Sequence, residues 1–430
     1  MRVQCIATLL FYGMFVVCGA RGEEVPPRLT LSQTVEMALA QHPAIPAAAA
    51  RISAAMALQQ QAGLRPNPSV TVESENWRAW GEPGFKPAQD LDLFIFGSQT
   101  LETAGKRSRR IDLASQDYKI AELEKLALEW RIRQDVRLVF LKALLAQKQL
   151  ALLEANGRYF EQVIEYHRVR VEQGAMAEVN LIRVQLEGER FRLEEQMART
   201  EAERQRIELL RAMGLAESRA DFSLEEITPA PSLEMTLSGA ALLAQAREHL
   251  PNILMAEAIL ARARTQVELE KSLAKPDWAV TFGYKRTAGF NTMLAGVSVP
   301  LPLFNKNEGS IASSEMEVRR AEHSVREILA RVAADIGGAA AGAQRRQEML
   351  SRMQKGILGQ AEDSLRISLA AYQEGGSDLL RLLDAQKVRN EVRLMYTRTQ
   401  MEYMISLAEL ENAAGVENLL LPKEAQRVKP

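Results

Sequence analysis

Between Pro87 and Pro229 the chain has no proline, and apolar residues recur there at helical spacing through Leu123, Leu126, Trp130, Val136, Val139, Phe140, Leu144, Leu145, Leu152 and Leu153. The spacing predicts one long helix over about 103–173. At ~1.5 Å per residue it would run on the order of 100 Å. A return helix over 177–213 follows, stopping at Gly214. The second proline-free interval, Pro302 to Pro422, predicts another pair over 306–374 and 378–414. Ahead of each pair, period-two alternation predicts a β-hairpin. The first has strands at 69–76 and 90–101, where Leu91, Leu93 and Ile95 alternate with Asp92, Phe94 and Phe96. The second has strands at 279–284 and 294–301: Val280, Phe282 and Tyr284 alternate with Thr281, Gly283 and Lys285, and Ala295, Val297 and Val299 share a face.

The halves match at a constant offset of 201 residues, Gly174 falling on Gly375, Val179 on Leu380, Leu181 on Leu382, Gln185 on Gln386 and Gly214 on Gly415. Upstream the offset drifts, as loop insertions make it do: His42-Pro43 answers to His249-Leu250-Pro251, and Arg65-Pro66-Asn67 to Lys275-Pro276-Asp277. An internal duplication is expected, with a first repeat over 21–217, a second over 218–416 and a tail at 417–430. The fold class expected is mainly α with antiparallel β. Gly174 and Gly375 stand where a descending helix must reverse, because glycine takes a left-handed conformation at a helix C-terminus without a Cβ clash. Ser377 or Asp378 can cap the next helix in the second half; the first half has Ala177 and Glu178 there.

Residues 1–20 predict a secretory signal peptide, with Arg2 ahead of an apolar run from Ile6 to Val17 and cleavage after Ala20. An N-terminal anchor or a lipidated Cys18 are the alternatives. Both cysteines, Cys5 and Cys18, lie in this segment, so the expected mature chain has no disulfide, thiol catalysis or cysteine metal site. Lys+Arg 54 against Asp+Glu 55 leaves no basic excess for a nucleic-acid partner. After Ala20 no apolar run is long enough for a membrane helix, so any entry into a membrane is by strands. About ten residues suffices for a tilted spanning strand, but four strands cannot close a barrel. Several chains would have to share one, two giving eight strands and three giving twelve. The aromatic residues Trp77, Trp80, Phe85, Phe94, Phe96, Phe282, Tyr284 and Phe290, expected near strand ends, fit an interfacial girdle. A small sheet capping a soluble helical bundle is the other reading of the hairpins.

Five segments, LTLSQTVEMALAQHPAI (Leu29 to Ile45), RPNPSVTVES (Arg65 to Ser74), SQTLETAGKRSRR (Ser98 to Arg110), PLPLFNKNEGS (Pro300 to Ser310) and the paired glycine turns, resemble the TolC-like outer membrane efflux protein family over about Leu29 to Val416. SQTLETAGKR is most similar to the branch serving heavy-metal and cation efflux systems of the resistance-nodulation-division type. The resemblance implies a homotrimer with four strands per chain in a shared twelve-stranded β-barrel, set in outer-membrane lipid. A periplasmic α-barrel of twelve helices would continue it and dock onto a periplasmic adaptor and an inner-membrane pump. It implies that the turns Gly174, Ala175, Met176 and Gly375, Gly376, Ser377 form the adaptor-facing tip. Tyr372 matches a family tyrosine that links neighbouring helices in the closed state, and Asp384 an inward aspartate whose three copies would form a cation-favouring ring. Asn180 replaces an aspartate found in some members, and Ser377 an arginine, so the resemblance carries over no charged latch. Lys106, Arg107, Arg109 and Arg110 are expected at lipid head groups where barrel meets helix. The ordinary readings stand beside these: Tyr372 as a packing aromatic, Asp384 as a solvated charge, the basic run as an exposed helix start.

No nucleophile-base pair, phosphate loop or metal motif is present; His42, His167, His249 and His323 are scattered. A passive export duct with no catalytic residue, cofactor or resident metal is expected, possible cargo being metal cations. A periplasmic coiled-coil adaptor would need one helical hairpin flanked by β-domains, and an envelope hydrolase would need convergent acid-base residues.

Overall fold

The computed structural model describes residues 25–77, 80–82, 84–215, 221–227, 239–416 and 419. The expected leader with its two cysteines, and all of the tail but Leu419, lie outside them.

The first half begins with β1 (Arg28–Leu29), α1 (Leu31–Gln41) and α2 (Ala44–Ala62). Thr30 and Gln33 start α1 with a reciprocal capping box, each side chain accepting from the other's backbone N–H at 3.1 Å. Then come β2 (Ser69–Glu75), the single turn α3 (Pro87–Asp90), β3 (Asp92–Leu101), the 67-residue α4 (Lys106–Glu172) and α5 (Glu178–Ala212). After β4 (Ser223–Leu224), which pairs in parallel with β1, the second half runs α6 (Gly239–His249), α7 (Pro251–Leu273), β5 (Trp278–Thr287), β6 (Phe290–Ser298), α8 (Glu308–Arg352), α9 (Leu358–Gln373) and α10 (Leu379–Ala414). The two halves thus place like elements in like order.

The first long helix of each half starts on a residue with left-handed backbone, Gly105 (φ 70°) before α4 and Asn307 (φ 60°) before α8. These are the segments SQTLETAGKR and PLPLFNKNEGS. The return helices end with equal economy. Gly214 lies against His42 and Pro43, where a Cβ would come within 2.9 Å of the proline ring, and Gly415 lies against Leu250. The short-helix elbows and the terminal glycines were matched across the halves because they touch.

The main core sits near the middle of α4. Val136, Phe140, Leu141 and Leu144 pack there with Leu209 of α5 and Met213 at its C-terminal cap, Leu31 and Val35 of α1, and Met401, Tyr403, Met404 and Leu407 of α10. Beside it a buried ion pair, Arg137 Nη1 to Glu411 Oε2 at 2.6 Å, joins α4 to α10, and Trp130 Nε1 donates to Asn412 Oδ1 at 2.9 Å. The two halves are therefore clamped together at this level. A smaller cluster, Leu153, Phe160, Val184, Phe191 and Leu379, continues toward the turns.

Four points differ from the sequence reading. The second hairpin's strands are Trp278–Thr287 and Phe290–Ser298 rather than 279–284 and 294–301. Arg286 stands where the alternation calls for an apolar residue, yet it and Lys285 stay in the ladder opposite Leu93 and Phe94, and the reversal is at Ala288-Gly289, both with positive φ. Second, Val299 lies beyond β6, which stops short of Pro300 and Pro302, residues without a backbone N–H to offer. Third, the helix expected over 306–374 is broken by a π-helical turn at Met353–Ile357, which separates α8 from α9. Fourth, Phe94, Phe96 and Phe282 lie within strands, and Trp80 and Phe85 in the loop after β2.

Candidate functional site

The four longer strands form one antiparallel sheet in the order β2-β3-β5-β6, with β2 and β6 as edges. Side chains directly opposite in an antiparallel pair share a face. Val72 faces Ile95, which faces Tyr284, which faces Met293; Val70 lines up likewise with Gly97, Phe282 and Ala295. Leu93, Leu101, Trp278, Val280 and Val297 fall on the same side, which also carries the polar Ser74, Gln99, Arg286 and Asn291. The opposite face collects Thr71, Glu73, Ser98, Thr100, Thr281, Lys285, Thr292 and Ser298, interrupted by Phe94, Phe96 and Leu294. Lys285 Nζ stands 5.1 Å from the centroid of the Phe94 ring. The apolar face is uncovered in the chain, with Val70 74%, Phe282 61% and Val297 65% exposed. Apolar area of this extent on a sheet with two free edges marks a surface meant for something other than water. Among the described residues no helix is long and apolar enough to cross a membrane.

At the other end of the molecule lie the two helix reversals. Gly174 (φ 69°) donates to the Val171 carbonyl and Ala175 to that of Arg170, both at 2.9 Å. Gly375 (φ 77°) donates to Tyr372 at 3.1 Å and Gly376 to Ala371 at 2.8 Å. Both are Schellman turns, in which the glycine's left-handed backbone lets orphan carbonyls of the ending helix find donors. Asp378, not Ser377, caps α10, accepting from the Arg381 N–H at 3.1 Å; Ala177 leaves α5 without a side-chain cap. Gly174, Ala175, Gly375 and Gly376 are exposed, Met176 and Ser377 half-buried. Asn180 donates its backbone N–H to Ala177 within the first turn of α5. Asp384 is exposed on α10 beside the buried Leu382, Ala385 and Gln386.

The description "Outer membrane efflux protein" matches residues 34–215 and 242–416, most of the chain. The chain belongs to this family. It is thus an outer-membrane channel with its helices in the periplasm, and the adaptor and hydrolase readings fall away. The efflux protein is similar to the cobalt-zinc-cadmium resistance protein CzcC of Cupriavidus metallidurans, 25% identical over 378 residues that cover 86% of this chain and 85% of the relative. It is also similar to the nickel-cobalt-cadmium resistance protein NccC of Alcaligenes xylosoxydans xylosoxydans, 24% identical over 320 residues, 74% and 70% of the two chains. Its fold matches crystallised CusC with a TM-score of 0.73 at 16% identity, over 90% of this chain and 92% of that one.

In the efflux protein the basic cluster at the start of α4 is tied into the protein. Lys106 is buried and pairs with Asp277 at 2.7 Å; Arg110 binds Glu102 at 3.1 Å; Arg107 reaches the Gly63 carbonyl and Arg109 the Glu268 carboxylate at 3.9 Å. Burial alone would raise the Asp277 pKa, but the Lys106 ammonium and the Thr103 donors outweigh it and hold it below the ordinary carboxylate range. Lys106 therefore braces the strand-to-helix junction and does not face lipid, a correction forced by Asp277, which is distant in sequence.

Tyr372 meets a residue that sequence reasoning passed over. Its hydroxyl is 2.9 Å from Nε2 of His167, and the two rings lie nearly parallel. His167 is buried, on α4, with Nδ1 2.8 Å from the Val163 carbonyl. Its type and spacing gave no signal, because the contact spans 205 residues of sequence.

Proposed function

We propose that three copies of this efflux protein form one export duct for metal cations between a periplasmic adaptor with its inner-membrane pump and the outside of the cell. The observation that carries this reading is the sheet: one mostly apolar face, one mostly polar face, and two edges with unpaired backbone groups. In lipid those edges must be satisfied by other strands. Setting β6 of one copy beside β2 of the next repeats the four strands until the sheet closes. Three copies give a twelve-stranded barrel whose apolar face meets outer-membrane lipid and whose polar face lines a water-filled path. The like order of elements in the halves supports an internal duplication, each repeat supplying one hairpin of strands and one of helices.

On this reading the Gly174 to Met176 and Gly375 to Ser377 turns are the adaptor-facing tip, and Tyr372 and Asp384 belong to its gate, with Asn180 one turn into α5. Arg107 and Arg109, exposed at the start of α4 although each has one partner within the chain, are the residues of the basic cluster that also reach head groups. Cobalt, zinc, cadmium or nickel as cargo is supported by the resistances for which CzcC and NccC are named. On this reading the cation is cargo that passes through the duct.

The test uses the absence of native cysteines after residue 18. Single cysteines at Val70, Val72 or Ser74 in β2 are combined with one at Met293, Ala295 or Val297 in β6, and outer-membrane fractions are oxidised. At least one combination is expected to give covalent dimers and trimers. Monomer from all nine would contradict the shared barrel.

A further inference from the structure

We propose that the outer rim of the sheet carries a binding site for the phosphorylated head group of an outer-leaflet lipid, built from Arg286 and Asn291 and flanked by Ser74 and Trp77. The inference rests on the duct reading above, which turns the mostly apolar face toward lipid, and adds to it a specific lipid contact.

The four longer strands hold two cations, Lys285 and Arg286, adjacent on β5 and therefore on opposite faces. Lys285 lies on the mostly polar face, its Nζ over the Phe94 ring. Arg286 is the one charged residue of these strands on the mostly apolar face. Its depth decides what it can bind. Leu101 leads into α4 and Ser298 toward α8, so the strand ends that carry them face the periplasm and the Arg286 end faces out. From Trp278 to Arg286 the strand rises on the order of 26 Å. At a tilt of about 40° that is roughly 20 Å of height, most of the apolar band of an outer-membrane barrel. Arg286 therefore stands at the outer interface, where a cation is tolerated, and not at the midplane, where it would be costly. At the periplasmic end the same face closes on Leu101 and Trp278, with no cation in the row. The strand face thus offers its cation to the outer leaflet alone.

The neighbours of Arg286 are arranged to donate. A single row runs Ser74, Leu93, Arg286, Asn291 across the sheet at ~4.8 Å per strand, so Arg286 and Asn291 stand directly opposite each other. The Tyr284 hydroxyl donates to Asn291 Oδ1 at 2.6 Å, which fixes the amide and leaves its Nδ2 to donate. Trp77 Nε1 donates to Ser74 Oγ at 2.8 Å, which leaves the serine O–H to donate in turn. Arg286 has an interaction within the chain, but a guanidinium carries five N–H donors in a planar fork that matches two oxygens of a phosphate. A cationic fork beside a fixed amide donor is suited to an anion, and the anions at this depth of a membrane are head-group phosphates. Aromatic rings mark the same level. Trp77 is 67% exposed beside Phe85, their ring centroids 6.0 Å apart, and Tyr284 lies one row inward from Arg286. Rings with one polar edge settle between acyl chains and head groups, which holds the rim at the depth where a phosphate meets Arg286.

The experiment is native mass spectrometry of the full-length protein, purified from outer membranes in mild detergent, delipidated, and then given diphosphorylated lipid A or the same lipid with its phosphates removed. Wild type is compared with Arg286→Gln, Arg286→Lys, Asn291→Leu and Lys285→Gln. The wild type is expected to hold lipid A about tenfold more tightly than the dephosphorylated form, and Arg286→Gln to lose that preference. Arg286→Lys keeps the charge without the fork and is expected to fall between. Asn291→Leu leaves every charge in place and is expected to weaken the preference several-fold. Lys285→Gln, one residue away on the other face, is expected to keep it, which a general attraction of the rim for anions would not allow. Equal binding of the two lipids by the wild type, or a loss with Lys285→Gln as large as with Arg286→Gln, overturns the site and leaves the duct standing. The comparison of the two lipids on the wild type decides the matter even if a variant fails to assemble. A wild type with the mass of a single chain overturns the duct reading itself.

Discussion

At the scale of single residues, the carboxylate of Asp384 is the feature whose role depends most on neighbours outside the chain. In one chain it is a solvated charge on α10. Around a threefold axis its three copies would form a ring of negative potential in a confined passage, where charge acts more strongly than in open solvent. Asp384→Ala is expected to lower cation over anion selectivity measurably in single-channel recordings and to weaken block by divalent cations. Unchanged selectivity and block would remove the ring. Residue roles were unevenly legible in the sequence. The glycines of the two reversals, Gly174 and Gly375, were plain, because a left-handed reversal between long helices leaves few other choices. His167 was not, since helical periodicity shows which face a residue occupies but not which of several distant helices packs on it. For the same reason Lys106 was read as facing lipid until Asp277, 171 residues on, was seen beside it.

At the scale of elements, long helices and hairpins were legible because period 3.6 and period 2 persist over many residues. What the pattern could not reach was any feature set by partners across the fold. The ladder with β3 keeps Lys285 and Arg286 in β5, and the π-helical turn at Met353–Ile357 leaves no hydrophobic gap. The turns at Gly174 and Gly375 carry the next expectation. Replacing both with valine places β-branched side chains in left-handed backbone at a cost of ~1–2 kcal/mol each, while nothing lies within 4 Å of either glycine's Cβ position. The hairpins are clamped far away by Arg137 and Glu411, so the protein should still assemble in the outer membrane. Adaptor-dependent export, measured as metal tolerance of cells lacking the native gene, is expected to fall to the level of the empty strain. Full tolerance at normal protein levels would show that the turns do not dock.

At the scale of the whole molecule, the chain is incomplete by itself. Its helical part buries three hydrophobic clusters, but its sheet exposes a mostly apolar face and two unpaired edges, and neither is stable alone in lipid or in water. Period-two alternation disclosed the strands, and roughly ten residues per strand disclosed their fit to a bilayer. The number of chains was not legible, because four strands per copy is compatible with more than one closed ring. Three is the number implied by the family and the one the account adopts. The measurement that tests it most directly is the native mass of the protein extracted in mild detergent from a separated outer-membrane fraction. The account predicts the mass of three chains in that fraction; a single chain, or recovery from the soluble periplasm, would contradict it.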